Sequence, residues 1–389
     1  VTAPLEGIRV LDLSRLLPGP MCSLYLADLG ADVVKVEDTG AGDYARTLGT
    51  PSDTTSALFR ALNRGKRSIA LDLKSPDGRA AFHALARGAD VVLESFRPGV
   101  VQSLGIDHAT LAAVQPRLVY CSLSGYGQDG PRARMAGHDI NYLGYAGVLE
   151  ATGPRDGAPA VPSVQIADLL GGAASAAIAI LAALVGARVR GEGRYIDVAM
   201  ADATLAHAVF ALSALERTGR PARRGDDLLT GRFPCYGVYG TADGRFVAVG
   251  ALEQKFWGAL CTALGRGDLV GGQFDASGAT RAALEAIFAG NTRDAWVERF
   301  ASVDCCVTPV LDFAEALGDV QFRARGMVHR RDDGTAELAP PFRVSAHAFE
   351  EGRAAPAQGE HTREVLREAG VDDARIEALV AAGAARGAG

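Results

Sequence analysis

The first half of the chain alternates short β-branched runs with stretches of helical period. GIRVLDLS (7–14) has the apolar density and length of a strand, MCSLYLADLG (21–30) carries a helical pattern stopped by Gly30, and DVVKVED (32–38) reads as the next strand. Strand, crossover helix, strand is a βαβ unit. The pattern recurs in SIALDLKS, GRAAFHALARGA and DVVLESF, and again in GIDHATLAAVQP followed by RLVYCSLSG. Such repetition predicts an α/β fold on a largely parallel sheet, with ligand sites in the loops that follow strand C-terminal ends.

From residue 233 the texture changes. CYGVYGTADGRFVAVG sets two aromatic and β-branched runs about an Asp-Gly turn, the pattern of a hairpin, and QKFWGALCTALG and TRDAWVERFASV then return to helical spacing. These segments mark residues 225–315 as a smaller α+β domain, and residues 1–224, completed by 316–389, as a large α/β domain. Amphipathic VLDFAEAL and TREVLREAG suit a return to the large domain, and the low-complexity tail AAGAARGAG is expected to be mobile.

With 389 residues, 48% of them hydrophobic and 22% charged, two globular domains are affordable and a disordered, collagenous or disulfide-stapled protein is excluded. The sign of the charge changes the picture more. Lys and Arg number 40 against 46 Asp and Glu, a net charge of −6, so there is no basic footprint for nucleic acid or an anionic membrane. A polyanionic ligand must then meet a local basic cluster. The cysteines (Cys22, Cys121, Cys235, Cys261, Cys305, Cys306) form no C-x-x-C pair and have no histidine at zinc-ligand spacing, which reads as free thiols and no metal site. The N-terminal segment lacks the pattern of a secretory signal, so a cytoplasmic protein is expected. Residues 169–187, LLGGAASAAIAILAALVGA, carry no charge and are just long enough to span a bilayer. Their richness in Ala and Gly, with no flanking aromatics, favours a buried helix instead, and no membrane partner is expected.

Gly125, Gly127 and Gly130 form G-x-G-x-x-G directly after the strand RLVYCSLS. A dinucleotide-binding turn would open a helix at that point, yet Pro131, Arg132 and Arg134 follow, so a nicotinamide or flavin site is not expected. Three ionisable residues stand apart. His138 lies in MAGHDINYLGYAG among small and apolar neighbours; Asp168 ends PSVQIAD just before Gly171 and Gly172; Glu253 is the only charge in FVAVGALEQ. Asp168 is placed for an N-cap, and the same geometry would set a carboxylate beside helix N–H groups able to stabilise an oxyanion.

Taken in order, VLDLSRLLPGP, ADLGADVVKVE, LNRGKRSIALDLKSPDG, ESFRPGV, SGYGQDGP, AGHDINY, QIADLLGG and GALEQKFW resemble the class III CoA-transferase superfamily, and within it the 2-methylacyl-CoA racemases. The resemblance covers roughly residues 4 to 330. It implies a large Rossmann-like domain with a smaller one, an interlocked homodimer with sites between subunits, and an acyl-CoA substrate. It calls for no metal or organic cofactor, coenzyme A arriving as part of the substrate. Racemising a 2-methylacyl thioester takes one base on each side of a planar enolate. The resemblance gives these roles to His138, supported by Glu253, and to Asp168, with the helix after Asp168 supplying N–H donors to the enolate oxygen. Arg15, Lys35, Lys66, Arg67 and Arg97 become candidates for the phosphates of coenzyme A, joined by Asp139 and Tyr142 as further coenzyme A contacts. In the superfamily's transferases the equivalent aspartate is instead a nucleophile that forms a mixed anhydride under a glycine-rich loop. Here that loop reads VGALEQKF, with Gly250 and a glutamate. Racemases often carry Asn four residues before the aspartate, where this chain has Val164.

Overall fold

Val10, Leu11, Val33, Val34, Ile69, Val91, Val92 and Leu93 are all shielded from solvent, as strands covered on both faces require. In the computed structural model, which describes residues 3–50, 55–221, 223–331, 334–350 and 353–387, they belong to β1 (Arg9–Asp12), β2 (Asp32–Glu37), β3 (Arg67–Leu71) and β4 (Val91–Glu94). With β5 (Val119–Ser124) and β6 (Arg194–Ala199) these strands are mutually parallel, in the order β3-β2-β1-β4-β5-β6. This is the doubly wound arrangement, whose order reverses between β1 and β4 and leaves a crevice outside their C-terminal ends. The loops at that crevice are Leu13–Arg15 and Ser95–Arg97, and the Arg15 N–H donates to Ser95 Oγ at 3.3 Å.

The crossover helices follow the pattern of the sequence. Pro18–Asp28 starts with Pro at its first turn. Pro76–Arg87 is capped by the Ser75 hydroxyl, which accepts from Gly78 N–H at 2.9 Å, and buries Ala81, Phe82, Leu85 and Ala86.

The chain divides into two compact units: Val1–Ala146, Ser163–His207 and Ala324–Gly389 in the first, Gly147–Pro162 and Ala208–Arg323 in the second. The second unit therefore starts earlier than the hairpin texture at 225 suggests and draws in 147–162 as well, because Arg224 pairs with Glu150 and Arg155 with Asp226. Its antiparallel sheet comprises β7 (Tyr236–Gly240), β8 (Phe246–Gly250) and β9 (Val307–Pro309). Helices Gln254–Leu264, Ala279–Phe288 and Arg293–Phe300 close a core of Tyr239, Trp257, Leu284, Phe288 and Trp296.

In the first unit, β10 (Val328–Arg330) pairs with β11 (Ala336–Leu338) as a short antiparallel ribbon. VLDFAEAL stays in the second unit, whereas TREVLREAG returns to the first as its pattern suggests. TREVLREAG forms the helix Thr362–Glu368, whose Val365 and Leu366 enter the sheet's core beside Ile69 and Leu71. The tail, expected to be mobile, is held as far as it is described: β12 (Ala385–Arg386) is an antiparallel edge strand on β3, with Ala384 and Ala385 buried in the same core, and the last two residues, 388 and 389, lie outside the described residues.

The apolar run at 169–187 lies in the helical stretch Ala167–Arg190, long and apolar enough by composition to cross a membrane. The expected burial holds for one face only: Ala176, Ile180 and Leu184 are inside, while Ile178, Val185 and Val189 are 69%, 65% and 76% exposed.

Candidate active site

His138 adopts extended backbone and precedes the helix Asp139–Tyr145. Its N–H donates to Asn141 Oδ1 at 3.0 Å, and the Asn141 N–H returns a bond to the His138 carbonyl at 2.8 Å. Reciprocal bonds of this kind fix the entry to a helix, and they leave the imidazole exposed. The next residue ties this helix to the second candidate: Asp139 Oδ1 accepts the Asp168 N–H at 3.0 Å. Asp139, expected among the coenzyme A contacts, thus spends this oxygen on Asp168.

Asp168 lies in the π-helical segment Ala167–Ala174, which runs directly into the α-helix Ser175–Arg190. Widened turns of this type are common at functional positions. The N-cap expectation fails here, since Ile166 precedes the first helical residue. The oxyanion expectation fails for two N–H groups, because that of Asp168 is held by Asp139 and that of Leu169 by the Gln165 carbonyl at 2.9 Å. Gly171 and Gly172 let the segment pack closely: an added methyl would stand 2.8 Å from the Met200 carbonyl oxygen at the first and 3.0 Å from Pro18 Cβ at the second.

Burial, and then the charge of Asp139, push the Asp168 carboxyl up to about 6, with His138 pulling the other way. Tyr142 joins the same environment. It is 5% exposed and donates its hydroxyl to the Gly137 carbonyl at 2.6 Å. Burial foremost, with Asp168, Tyr126 and Asp139, lifts the phenol to about 12, against the influence of Arg97. The first glycine of the G-x-G-x-x-G run is explained by this ring, because a methyl at Gly125 would lie 2.5 Å from it. No helix opens after Gly130; the next begins at Asp139.

The structure separates the five basic candidates. Arg15 and Arg97 stand in the two loops of the sheet's crevice. Arg15 bonds Asp38 at 2.9 Å and lies over the rings of Tyr44 and Phe96 at 5.2 and 5.9 Å, and Arg97 is exposed. Lys35 and Lys66 are corrected from phosphate ligands to structural cations, since their side chains have no exposed surface. Lys35 pairs with Asp43 at 2.7 Å and donates to the Ser14 carbonyl at 3.0 Å. Lys66 donates to Ser23 Oγ at 2.7 Å, Asn63 Oδ1 and the Pro20 carbonyl at 2.9 Å each, and lies 3.4 Å from Asp12. Arg67 is corrected on position. It begins β3, at the edge opposite the crevice, and is engaged by Asp32, Glu364 and Glu368.

A sharp consequence follows for Lys66. Burial lowers its ammonium to about 8 against the pull of Asp12, and for Asp12 the lysines and serine hydroxyls outweigh burial to hold the carboxyl below its usual range. Lys66→Met should strand a buried carboxylate and cost about 3 kcal/mol of stability, read from the denaturant midpoint. A phosphate ligand at the surface would change coenzyme A affinity and leave that midpoint in place.

The buried pair Lys35–Asp43 also shapes the crevice. Asp43 Oδ1 accepts the N–H of Leu16, which has φ of 65°, a left-handed value rare for a branched side chain. Sequence reading passed over Asp43 and Asn141; for Asn141 its spacing three residues after His138 is the signal that was there.

Glu253 belongs to the second unit. It is exposed, and its carbonyl accepts the N–H groups of Phe256 and Trp257 at the start of helix Gln254–Leu264. Among the described residues no group of three or more His, Cys, Asp and Glu is arranged to hold a metal ion.

The pattern of CoA-transferase family III matches residues 5–362. The chain is 37% identical over 379 residues to an alpha-methylacyl-CoA racemase of Homo sapiens, covering 96% of each. It is 36% identical over 387 residues to a succinate–glutarate CoA-transferase of Agrobacterium fabrum, covering 94% of this chain and 95% of the relative. Among solved structures, a CAIB/BAIF family protein from Brucella suis superimposes with a TM-score of 0.83 at 32% identity, over 95% of this chain and all of that one.

Proposed function

The chain belongs to CoA-transferase family III, among the enzymes of the CoA-transferase and acyl-CoA racemase superfamily, and from that premise we propose that it interconverts the C2 epimers of a 2-methylacyl-CoA by two-base proton transfer. The observation that carries the reading is that His138 and Asp168 share one electrostatic site, joined through Asp139. One group takes the α-proton from its face of the thioester. The other returns a proton from the opposite face, and the planar enolate between them has lost the memory of its starting configuration. For the other epimer the roles exchange. A carboxyl near 6 suits this exchange, being more basic than an ordinary aspartate while still reaching its acid form near neutral pH.

Arg15 and Arg97 are assigned to the phosphates of coenzyme A, and Tyr142 to the wall beside the thioester. Glu253 is assigned the support of the His138 imidazole that the resemblance gives it. An interlocked homodimer is part of the proposal: Ile178, Val185 and Val189 form one exposed apolar stripe along a single helix, a surface suited to a second copy. The transferase reading keeps a footing in the Agrobacterium fabrum relative and in Val164, which stands where racemases often have Asn.

The test is a single C2 epimer of a 2-methylacyl-CoA, incubated first alone and then with a carboxylic acid added. The acyl group should approach a mixture of both C2 configurations without any added acid; a C2 configuration that persists while coenzyme A passes to the added acid would establish the transferase. The pH profile adds a sign. For the epimer that needs the Asp168 carboxylate as base, kcat/KM should fall as pH drops through about 6. A profile flat down to pH 5 would remove Asp168 from that role.

A further inference from the structure

The loop that carries Arg97 rests on a buried acid that the catalytic scheme does not use. Glu94 ends β4 and is 1% exposed. Its Oε2 accepts the N–H of Phe96 at 2.7 Å, a length typical of a charge-assisted bond. Its Oε1 is buried with no hydrogen-bond partner. Phe96 is the residue before Arg97, and its ring also lies 5.9 Å from the Arg15 guanidinium. Through Phe96 the carboxyl is therefore tied both to the segment that carries Arg97 and to the ring beside Arg15. A neutral side chain would bond the same N–H without the cost of burying a carboxylate, so packing alone does not account for an acid here.

We propose that Glu94 is a positioning residue for coenzyme A, its carboxylate locking the Phe96–Arg97 turn so that the Arg97 guanidinium meets a phosphate. This rests on the acyl-CoA reading given above. The groups facing Glu94 are Ser122, Tyr120 and Cys121 of β5, with Tyr195 and Asp197 of β6. The Tyr195 hydroxyl donates to Ser122 Oγ at 3.2 Å, and no cation stands among these neighbours. Burial lifts the Glu94 carboxyl to about 7, Asp197 adds to the rise, and the Ser122 hydroxyl and Phe96 N–H oppose it. The ionised form makes the stronger bond to Phe96, so the turn is held best above pH 7 and loosens as the acid is protonated below it.

The experiment is calorimetric titration of the full-length protein with free coenzyme A at pH 6, 7 and 8, on wild type, Glu94→Gln, Ser122→Ala and Arg97→Ala. Wild type should gain about fivefold in affinity between pH 6 and 8 relative to Glu94→Gln, as expected for losing one charge-assisted bond. Glu94→Gln should bind throughout at the weaker level. Ser122→Ala removes a hydroxyl that holds the acid down, so its step should move to higher pH; this variant carries the test should Glu94→Gln fail to fold. Arg97→Ala should bind weakly and lose the step. Equal affinities and equal pH slopes for wild type and Glu94→Gln, with wild type still binding, would overturn the role of Glu94 alone. Absence of coenzyme A binding to wild type at every pH would overturn the acyl-CoA reading and this proposal together.

Discussion

Asp168→Asn should abolish epimerisation in both directions, by about 1,000-fold or more, the scale on which a positioned acid or base contributes. The loss is symmetric because the carboxyl removes the proton from one epimer and returns it to the other. Asn keeps the shape of the side chain, and the bond that anchors this position runs from the backbone N–H of residue 168 to Asp139. The melting temperature should therefore stay near that of wild type or rise, since burial and Asp139 disfavour the charge that the substitution removes. The sign follows from the raised carboxyl: its ionisation destabilises the folded state in full above about pH 6, and that penalty fades as pH falls from about 6 towards the ordinary aspartate value of 3.8. Turnover within tenfold of wild type would show that the chemistry lies elsewhere.

His138→Ala separates the two chemistries available to Asp168. Under two-base transfer it should lower epimerisation by about 100- to 10,000-fold. A transferase working through an aspartyl anhydride would keep most of its activity, since the nucleophile is untouched. The two bonds between His138 and Asn141 use the backbone N–H and carbonyl of His138, so the helix Asp139–Tyr145 should persist, which far-ultraviolet circular dichroism checks. Loss of epimerisation on this scale places the proton chemistry on His138; a variant that still passes coenzyme A to an added carboxylate at most of the wild-type rate moves the assignment to the transferase.

Most of the parallel sheet was legible in the chain because its strands are short, β-branched and mainly apolar and alternate with helical patterns, as with Val33, Val34 and Val36 after Leu24 and Leu26; β6, RYIDVA, is more polar and was not. The hairpin of the second unit was legible from its Asp-Gly turn, realised between Tyr236–Gly240 and Phe246–Gly250. The edge strand Ala385–Arg386 was not, because its two residues sit in a run of Ala and Gly that has no period; what orders them is contact with β3, distant in sequence. The site shows the same division. AGHDINY and QIAD marked His138 and Asp168, but not that Asp139 would join them, a contact between residues 29 apart. Charge counting is where local reading misled most. Lys35, Lys66 and Arg67 look alike as basic residues near loops, and only the fold reveals that Asp43, Asp12 and Asp32 take up their charges. Burial then assigns two of them to the interior, and strand direction places the third on the wrong edge of the sheet.

Two-base transfer through an enolate is tested most directly by incubating the wild-type enzyme with a 2-methylacyl-CoA in deuterium oxide, with no acceptor acid added, and following the thioester by mass spectrometry and proton resonance. The account predicts a single deuterium entering at C2 and nowhere else, with both epimers labelled at equilibrium. A thioester that remains unlabelled under these conditions, while a parallel incubation with a carboxylate added moves coenzyme A to it, would contradict it.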